Sequence, residues 1–147
     1  MPTRANKSTA LKKSRVSHAS EIAPGVFVGG WKDALRFEGS RFCVLDEAPP
    51  DMPAATHVRI YDDRGDRAIP ANLDGLARAM RDARATGKPV LVFCGHGVRR
   101  SPLAGAWYLR RTEGLTLGEA YERVRAVRPK VEEAQEWIGN VDGLEDA

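Results

Sequence analysis

No stretch of the 147-residue sequence approaches the ~20 consecutive apolar residues that a membrane-spanning helix needs. Nor does an apolar run follow the basic N-terminus as a secretory leader would require. A soluble, cytoplasmic protein is therefore expected. Cysteine is scarce as well: Cys43 and Cys94 stand far apart without metal-ligand spacing, which argues against a disulfide framework and a zinc site. Acidic residues are missing from the first eighteen positions, which carry Arg4, Lys7, Lys12, Lys13 and Arg15. Setting those five positive charges aside takes the formal charge from +3 to −2, so the pI near 9.1 belongs to this segment and gives no reason to expect nucleic-acid binding. With Ser8, Ser14, Ser17 and Ser20 and no sustained apolar periodicity, residues 1–20 are expected to form a disordered basic tail. A transit peptide or a segment for an anionic partner is a weaker reading of the same residues.

What remains suits one domain over residues 21–147, since a chain of this size with 42% hydrophobic residues supports one core. Ile22 to Val28 reads as an opening strand broken by Pro24-Gly25 and closed by Gly29-Gly30, followed by a short helix from Trp31 to Phe37. Phe42 to Leu45 and Val58 to Tyr61 read as two further strands, the second leading into the acidic loop Asp62-Asp63-Arg64-Gly65-Asp66. Leu73, Leu76, Ala77 and Met80 recur at helical offsets within Asn72 to Arg84, and Gly87 supplies a stop. Val90 to Phe93 is apolar without alternation, as a strand buried on both faces should be. A polar loop follows it, and then a helix over Leu103 to Arg110 with Pro102 in its first turn. Thr116-Leu117-Gly118-Glu119 forms a capping-box pattern before a helix ending at Pro129, and Ala134, Trp137, Ile138 and Val141 give a last helical face. The pattern predicts an α/β domain with a central, mostly parallel sheet flanked by helices, its active loop lying between the central strand and a helix.

Strand, loop and helix N-terminus meet at Cys94, and the chemistry of that junction is specific. Consecutive backbone N–H groups leading into a helix can surround the oxygens of a phosphate monoester. Gly95 and Gly97 suit the backbone angles and close approach of such a cradle. Comparable environments lower a cysteine pKa from about 8.5 to roughly 3.5–7.5, which would make the residue at this junction a nucleophile at neutral pH. Arg100 carries the planar fork that holds two phosphate oxygens at once. Ser101 is placed to donate its hydroxyl to the sulfur.

Residues Cys94-Gly95-His96-Gly97-Val98-Arg99-Arg100-Ser101 fit the Cys-x-x-Gly-x-x-Arg-Ser/Thr loop, and the chain resembles the protein tyrosine and dual-specificity phosphatase superfamily. Pro102, the opening segment Ile22 to Gly30 and the stretch Gly114 through Pro129 extend the resemblance over most of residues 21–140. It implies a phosphate-binding loop from Gly95 to Arg100, Cys94 as nucleophile, and an aspartate about thirty residues earlier that protonates the leaving oxygen and then activates water. Asp63 fits that spacing best, ahead of Asp62 and Asp66. It implies no metal or organic cofactor, and a phosphorylated protein as partner. Phe93 departs from the pattern, which usually has histidine there to order the loop; His96 either compensates in part, with its imidazolium near the phosphate, or is a surface histidine that contacts only solvent.

Other readings remain open at this stage. Arg99, five residues after Cys94, also suits the loop of a rhodanese-like sulfurtransferase, and a phosphate-binding module without turnover would keep the cradle. Within the phosphatase reading, phosphotyrosine and phosphoserine/threonine in proteins lead over RNA 5′-phosphates and phosphoinositides. Cys43 reads as a core residue, with a resolving role for Cys94 as the alternative. Arg128-Pro129 reads as a helix end that braces nearby backbone. The oligomeric state is not legible.

Overall fold

The computed structural model describes residues 19–52, 54–61 and 67–133. The acidic loop with Asp62, Asp63 and Asp66, the last helical face at Ala134, Trp137, Ile138 and Val141, and the basic segment up to His18 lie outside the described residues.

Five strands form one sheet in the order β1-β2-β5-β3-β4: β1 Ser20–Ala23, β2 Val26–Gly30, β3 Ser40–Cys43, β4 Thr56–His57 and β5 Val90–Cys94. Only β1 runs antiparallel to its neighbour, turning into β2 through Pro24-Gly25; the other pairings are parallel. The helices are α1 Trp31–Arg36, α2 Pro70–Ala85, α3 Arg100–Glu113 and α4 Leu117–Val127. The α/β architecture expected from the sequence is the one observed.

Central position explains the composition of β5. All five of its residues are buried, and its side chains alternate between two cores. Val90, Val92 and Cys94 face the larger core, which is closed by α2, α3 and α4. Leu91 and Phe93 face a smaller cluster with Ala34 of α1 and Cys43 of β3. Trp107 of α3 is completely buried in the larger core, where its Nε1 donates to Asp74 Oδ1 of α2 at 2.8 Å. Gly105 lets α3 lie directly on the sheet, since a Cβ there would stand 2.5 Å from Val28 Cγ2.

Local chemistry sets the helix limits. Proline opens α2 in its first turn. Thr116 Oγ1 accepts from Glu119 N at 3.1 Å while Glu119 Oε1 accepts from Thr116 N at 2.9 Å, so the expected capping box is present at α4. Asp33 plays the reciprocal part at α1, its Oδ2 accepting from Gly30 N at 2.9 Å.

The strand expected over Val58 to Tyr61 is not there. Pairing with β3 ends once Val58 N reaches Cys43 O, and the chain then runs past the end of its neighbour. Its backbone turns to α2 instead: Ile60 O accepts from Ile69 N at 2.8 Å and Arg59 O from Asn72 Nδ2 at 2.8 Å. The apolar side chains that suggested a strand are buried all the same, Ile60 at 0% and Tyr61 at 2% exposure. The third strand also sits earlier than expected, at Ser40–Cys43 rather than Phe42 to Leu45.

Candidate active site

Residues Gly95 to Arg99 form a loop between the carboxyl end of β5 and the first turn of α3, with Cys94 at its base, 4% exposed. Donors converge on the sulfur. Gly97 N lies 3.3 Å and Ser101 N 3.4 Å from Cys94 Sγ, and Ser101 Oγ is 3.3 Å away.

The outside of the loop is tied down by its carbonyls. Gly95 O accepts from Trp31 N at 3.0 Å, Gly97 O from Arg128 Nε at 2.7 Å, His96 O from Arg128 Nη2 at 3.2 Å, and Val98 O from Glu132 N at 2.9 Å. Four consecutive carbonyls thus point away from the sulfur. In a trans peptide the N–H lies opposite the C=O, so this outward set turns the following N–H groups toward the interior of the loop. That is the arrangement needed to surround an oxyanion.

Gly97 is required here twice over. Its φ is +70°, and a Cβ would meet Arg128 Nη2 at 2.4 Å and Gly29 C at 2.8 Å. Gly95, given the same role in the sequence, differs: a Cβ there meets nothing within 4 Å, and its φ is not in the left-handed region.

Arg100, first residue of α3, has a buried Nε without a hydrogen-bond partner among the described residues. Its guanidinium lies 5.1 Å from the Tyr61 ring centroid, and its Nη2 is 3.7 Å from Asp46 Oδ1. Neither Asp46 nor Tyr61 was found as a site residue from sequence, because each comes from a different loop and carries no local motif. Arg99 is half-buried and occupies the position before α3 without a side-chain capping bond.

Ser101 differs from expectation in one respect. Its hydroxyl has two candidate acceptors, Gly29 O at 2.8 Å and the sulfur at 3.3 Å, and a hydroxyl has one proton to give. The shorter contact directs that proton to Gly29 O, leaving a Ser101 lone pair toward the sulfur; donation to a thiolate requires the hydroxyl to turn.

Phe93 points to the opposite face from Cys94 and packs on Trp31, ring centroids 6.2 Å apart. Replacing the usual histidine there changes the packing behind the loop, not the groups touching the sulfur. Cys43 pairs in register with Phe93 and shares its face, so its thiol and that of Cys94 emerge on opposite sides of the sheet. Burial pushes the Cys43 thiol pKa up, the Leu45 backbone lowers it, and the charge of Cys94 raises it again, with a net upward shift. It belongs to the core, and the resolving-cysteine alternative lacks the geometry a disulfide needs.

Arg128 is 3% exposed and adds a contact from Nη1 to Ser20 Oγ at 3.1 Å. Burial lowers its pKa, against the opposing pull of Asp33 and Cys94. The bracing role read from sequence is therefore present, and its target is the loop itself. Among the described residues no group of three or more His, Cys, Asp or Glu side chains could hold a metal ion, and no helix is long and apolar enough to cross a membrane.

A sulfur ringed by donors at the end of a central parallel strand, with an arginine at the following helix start, defines a cysteine-phosphatase type of site. Comparison with known proteins makes this specific. Residues 51–146 match the dual specificity phosphatase catalytic domain. Dual specificity protein phosphatase 12 of Rattus norvegicus is 29% identical over 143 residues, covering 88% of this chain and 42% of the relative. Human dual specificity phosphatase 28 is 29% identical over 136 residues, covering 86% and 77%. In structure, human DUSP28 superposes with a TM-score of 0.73 at 28% identity, covering 87% of this chain and 93% of that one. A mouse putative dual specificity phosphatase complexed with zinc tungstate gives 0.75 at 26% identity, covering 95% and 93%. The chain belongs to the dual specificity phosphatase catalytic domain family. It spans less than half the length of the phosphatase 12 relative. The rhodanese-like reading of Arg99 is not favoured by any of these matches.

Proposed function

We propose that this chain is a cysteine-dependent phosphatase that hydrolyses phosphate monoesters on tyrosine, serine or threonine of proteins. The observation that carries the reading is the convergence of Gly97 N, Ser101 N and Ser101 Oγ on Cys94 Sγ beside an arginine whose buried Nε has no partner among the described residues. A phosphate oxygen supplies the acceptor that this Nε lacks.

In the proposed reaction the Cys94 thiolate attacks phosphorus in line, forming the S–P bond as the P–O bond to the leaving group breaks. Inward N–H groups of His96 to Arg99 and the Arg100 fork hold the charge on the non-bridging oxygens. Asp63 gives its proton to the leaving oxygen. The resulting carboxylate then takes a proton from water, whose oxygen attacks phosphorus, and the S–P bond breaks to return phosphate and thiolate. Ser101, turned from Gly29 O to the sulfur, stabilises that departing thiolate. None of these steps assigns a role to a metal. The 21–147 segment is proposed as the catalytic unit and the cytoplasm as its compartment.

Hydrolysis of an aryl phosphate in EDTA by wild type, Cys94→Ser and Asp63→Asn tests the scheme. Turnover by wild type, none by Cys94→Ser and a drop of about 10²–10⁴ for Asp63→Asn are expected. Unchanged turnover in Cys94→Ser refutes it, and full activity of Asp63→Asn moves the acid elsewhere.

A further inference from the structure

A cavity of about 210 Å³ opens between α2 and α3, walled by Asp74, Ala77, Arg78 and Arg81 of the first helix and by Arg111 and Thr112 of the second. Arg111 follows Arg100 by eleven positions on α3, roughly 16 Å of helix, so this cleft lies well away from the Cys94 loop. We propose that it docks an acidic segment of a protein partner, whose glutamate or aspartate side chains enter between the guanidinium groups. The proposal does not depend on the phosphatase reading.

Three arginines against one aspartate leave the wall with a formal excess of two positive charges. Beyond its basic N-terminal segment the chain carries a formal charge of −2, so this excess is a local concentration and not a property of the whole surface. Asp74 is already committed within the wall. Its Oδ1 accepts from Trp107 Nε1 at 2.8 Å and from Arg111 Nε at 2.7 Å, and its Oδ2 from Arg111 Nη2 at 3.4 Å. Those bonds, with the Trp107 ring centroid 5.2 Å from its guanidinium, hold Arg111 in place before any partner arrives, which lowers the ordering cost of docking.

Arg78 and Arg81 supply the excess, and both are exposed. The charge of Arg78 reaches Asp74, one turn earlier on α2, but that carboxylate is already bonded to Arg111 and Trp107. Arg81 lies 4.0 Å from Asp82 Oδ1, with the two side chains 62% and 77% exposed, a pairing that water screens and that a partner can displace at little cost.

The residue type and the size of the cleft select the occupant. All three cations are arginines, whose planar forks take a carboxylate by both oxygens. The volume lies below the ~300 Å³ at which pockets begin to enclose larger organic ligands, so it suits a few side-chain heads and not a run of nucleotides. Acidic residues also bound the basic surface along both helices, with Asp82 directly after Arg81 and Glu113 two positions after Arg111. A continuous polyanion would meet them, whereas separate acidic side chains need not.

The test uses the full chain, with orthovanadate present to fill the Cys94 loop. A fluorescein-labelled peptide bearing a run of glutamates is compared by polarisation with the same peptide carrying glutamines. The glutamate peptide is expected to bind roughly tenfold tighter, an advantage that shrinks with added salt. The ratio should fall to about one when Arg78→Gln and Arg81→Gln are combined, with Tm unchanged because both side chains are exposed. Arg78→Lys with Arg81→Lys should restore only part of it, since an ammonium cannot hold both carboxylate oxygens. A protein carrying Arg4→Gln, Lys7→Gln, Lys12→Gln, Lys13→Gln and Arg15→Gln should keep the full ratio. A ratio near one in wild type overturns the proposal, as does a ratio that survives loss of Arg78 and Arg81 or disappears with the N-terminal charges instead. A single-stranded oligonucleotide that binds more tightly than the glutamate peptide through the same two arginines would assign the cleft to nucleic acid and likewise overturn it. Failure of the phosphatase reading is seen separately, as absence of aryl phosphate turnover by wild type.

Discussion

Arg128→Met removes the brace behind the loop while keeping most of the side-chain volume. Three hydrogen bonds are lost: to Gly97 O at 2.7 Å, His96 O at 3.2 Å and Ser20 Oγ at 3.1 Å. Charge-assisted bonds of this kind contribute ~1.5–3 kcal/mol each, and leaving a buried carbonyl unpaired costs ~1–3 kcal/mol. Against this stands the recovered cost of burying a guanidinium, a cost visible in the downward pull of burial on the Arg128 pKa. The balance is a net loss of about 2–4 kcal/mol, or about 6–12 °C in Tm for a chain of this size. Arg128→Lys should recover less than half of it, because a single ammonium cannot meet three acceptors set around a planar fork. Thermal unfolding with and without orthovanadate separates the two consequences. Stability falls in both conditions, and the stabilisation gained from vanadate shrinks further because the loop carbonyls are no longer held outward. An Arg128→Met protein within about 0.5 kcal/mol of wild type, with the same vanadate gain, would refute the idea that this side chain shapes the loop.

Three further outcomes are expected. Ser101→Ala deprives Gly29 O and the sulfur of a shared partner; it should cost about 1–2 kcal/mol in urea unfolding and slow release of the cysteinyl phosphate, whereas Ser101→Thr keeps both functions. Gly105→Ala drives a methyl to within 2.5 Å of Val28 Cγ2 and 3.0 Å of Ile22 Cδ1, and should destabilise by about 1–3 kcal/mol in the same assay. At Asp74, burial pushes the carboxyl pKa up, but hydrogen bonds from Arg111 and Trp107 and the charges of Arg111 and Arg78 outweigh it, so the folded value lies below the usual one. A depressed folded pKa contributes stability above the unfolded value of about 3.9 and loses it as pH falls through the folded value. Asp74→Asn should therefore cost about 1 kcal/mol near pH 7, allowing for the partial exposure of the pair, and close to nothing near pH 2; equal loss at both pH values would refute this.

Contiguity decides how much of this molecule could be read before folding. Cys94 to Ser101 is one continuous string, so the proposed nucleophile, the loop and the arginine were legible together. Helices α2 and α4 were legible because apolar spacing is local, as are the Gly87 stop of the first and the capping-box start of the second, although α2 begins at Pro70, two residues before the Asn72 read from sequence. Strand β5 was legible because burial on both faces removes the alternation that an edge strand keeps. The opposite case is Val58 to Tyr61, where the apolar pattern reports burial but a strand also needs a neighbour, and β3 ends at Cys43. Asp46 and Tyr61 meet Arg100 only through the fold, which brings two separate loops to the start of α3. Arg128 was legible as a brace, but the backbone it braces lies thirty-one positions away from it, at Gly97.

The placement of the two thiols on opposite sides of the sheet bears on what happens under oxidative stress. Were Cys94 oxidised to a sulfenic acid, the molecule's own second cysteine would be screened from it by the β3–β5 backbone, and that thiol is itself held protonated by burial. Recovery from oxidation then depends on a thiol arriving from solution, such as glutathione, rather than on an internal exchange. Peroxide should convert Cys94 to a sulfenic acid with no Cys43–Cys94 crosslink; one glutathione then condenses with it to a mixed disulfide and water, and a second releases the thiol as oxidised glutathione. Redox sensitivity in this chain is thus coupled to the surrounding thiol pool and not buffered from within.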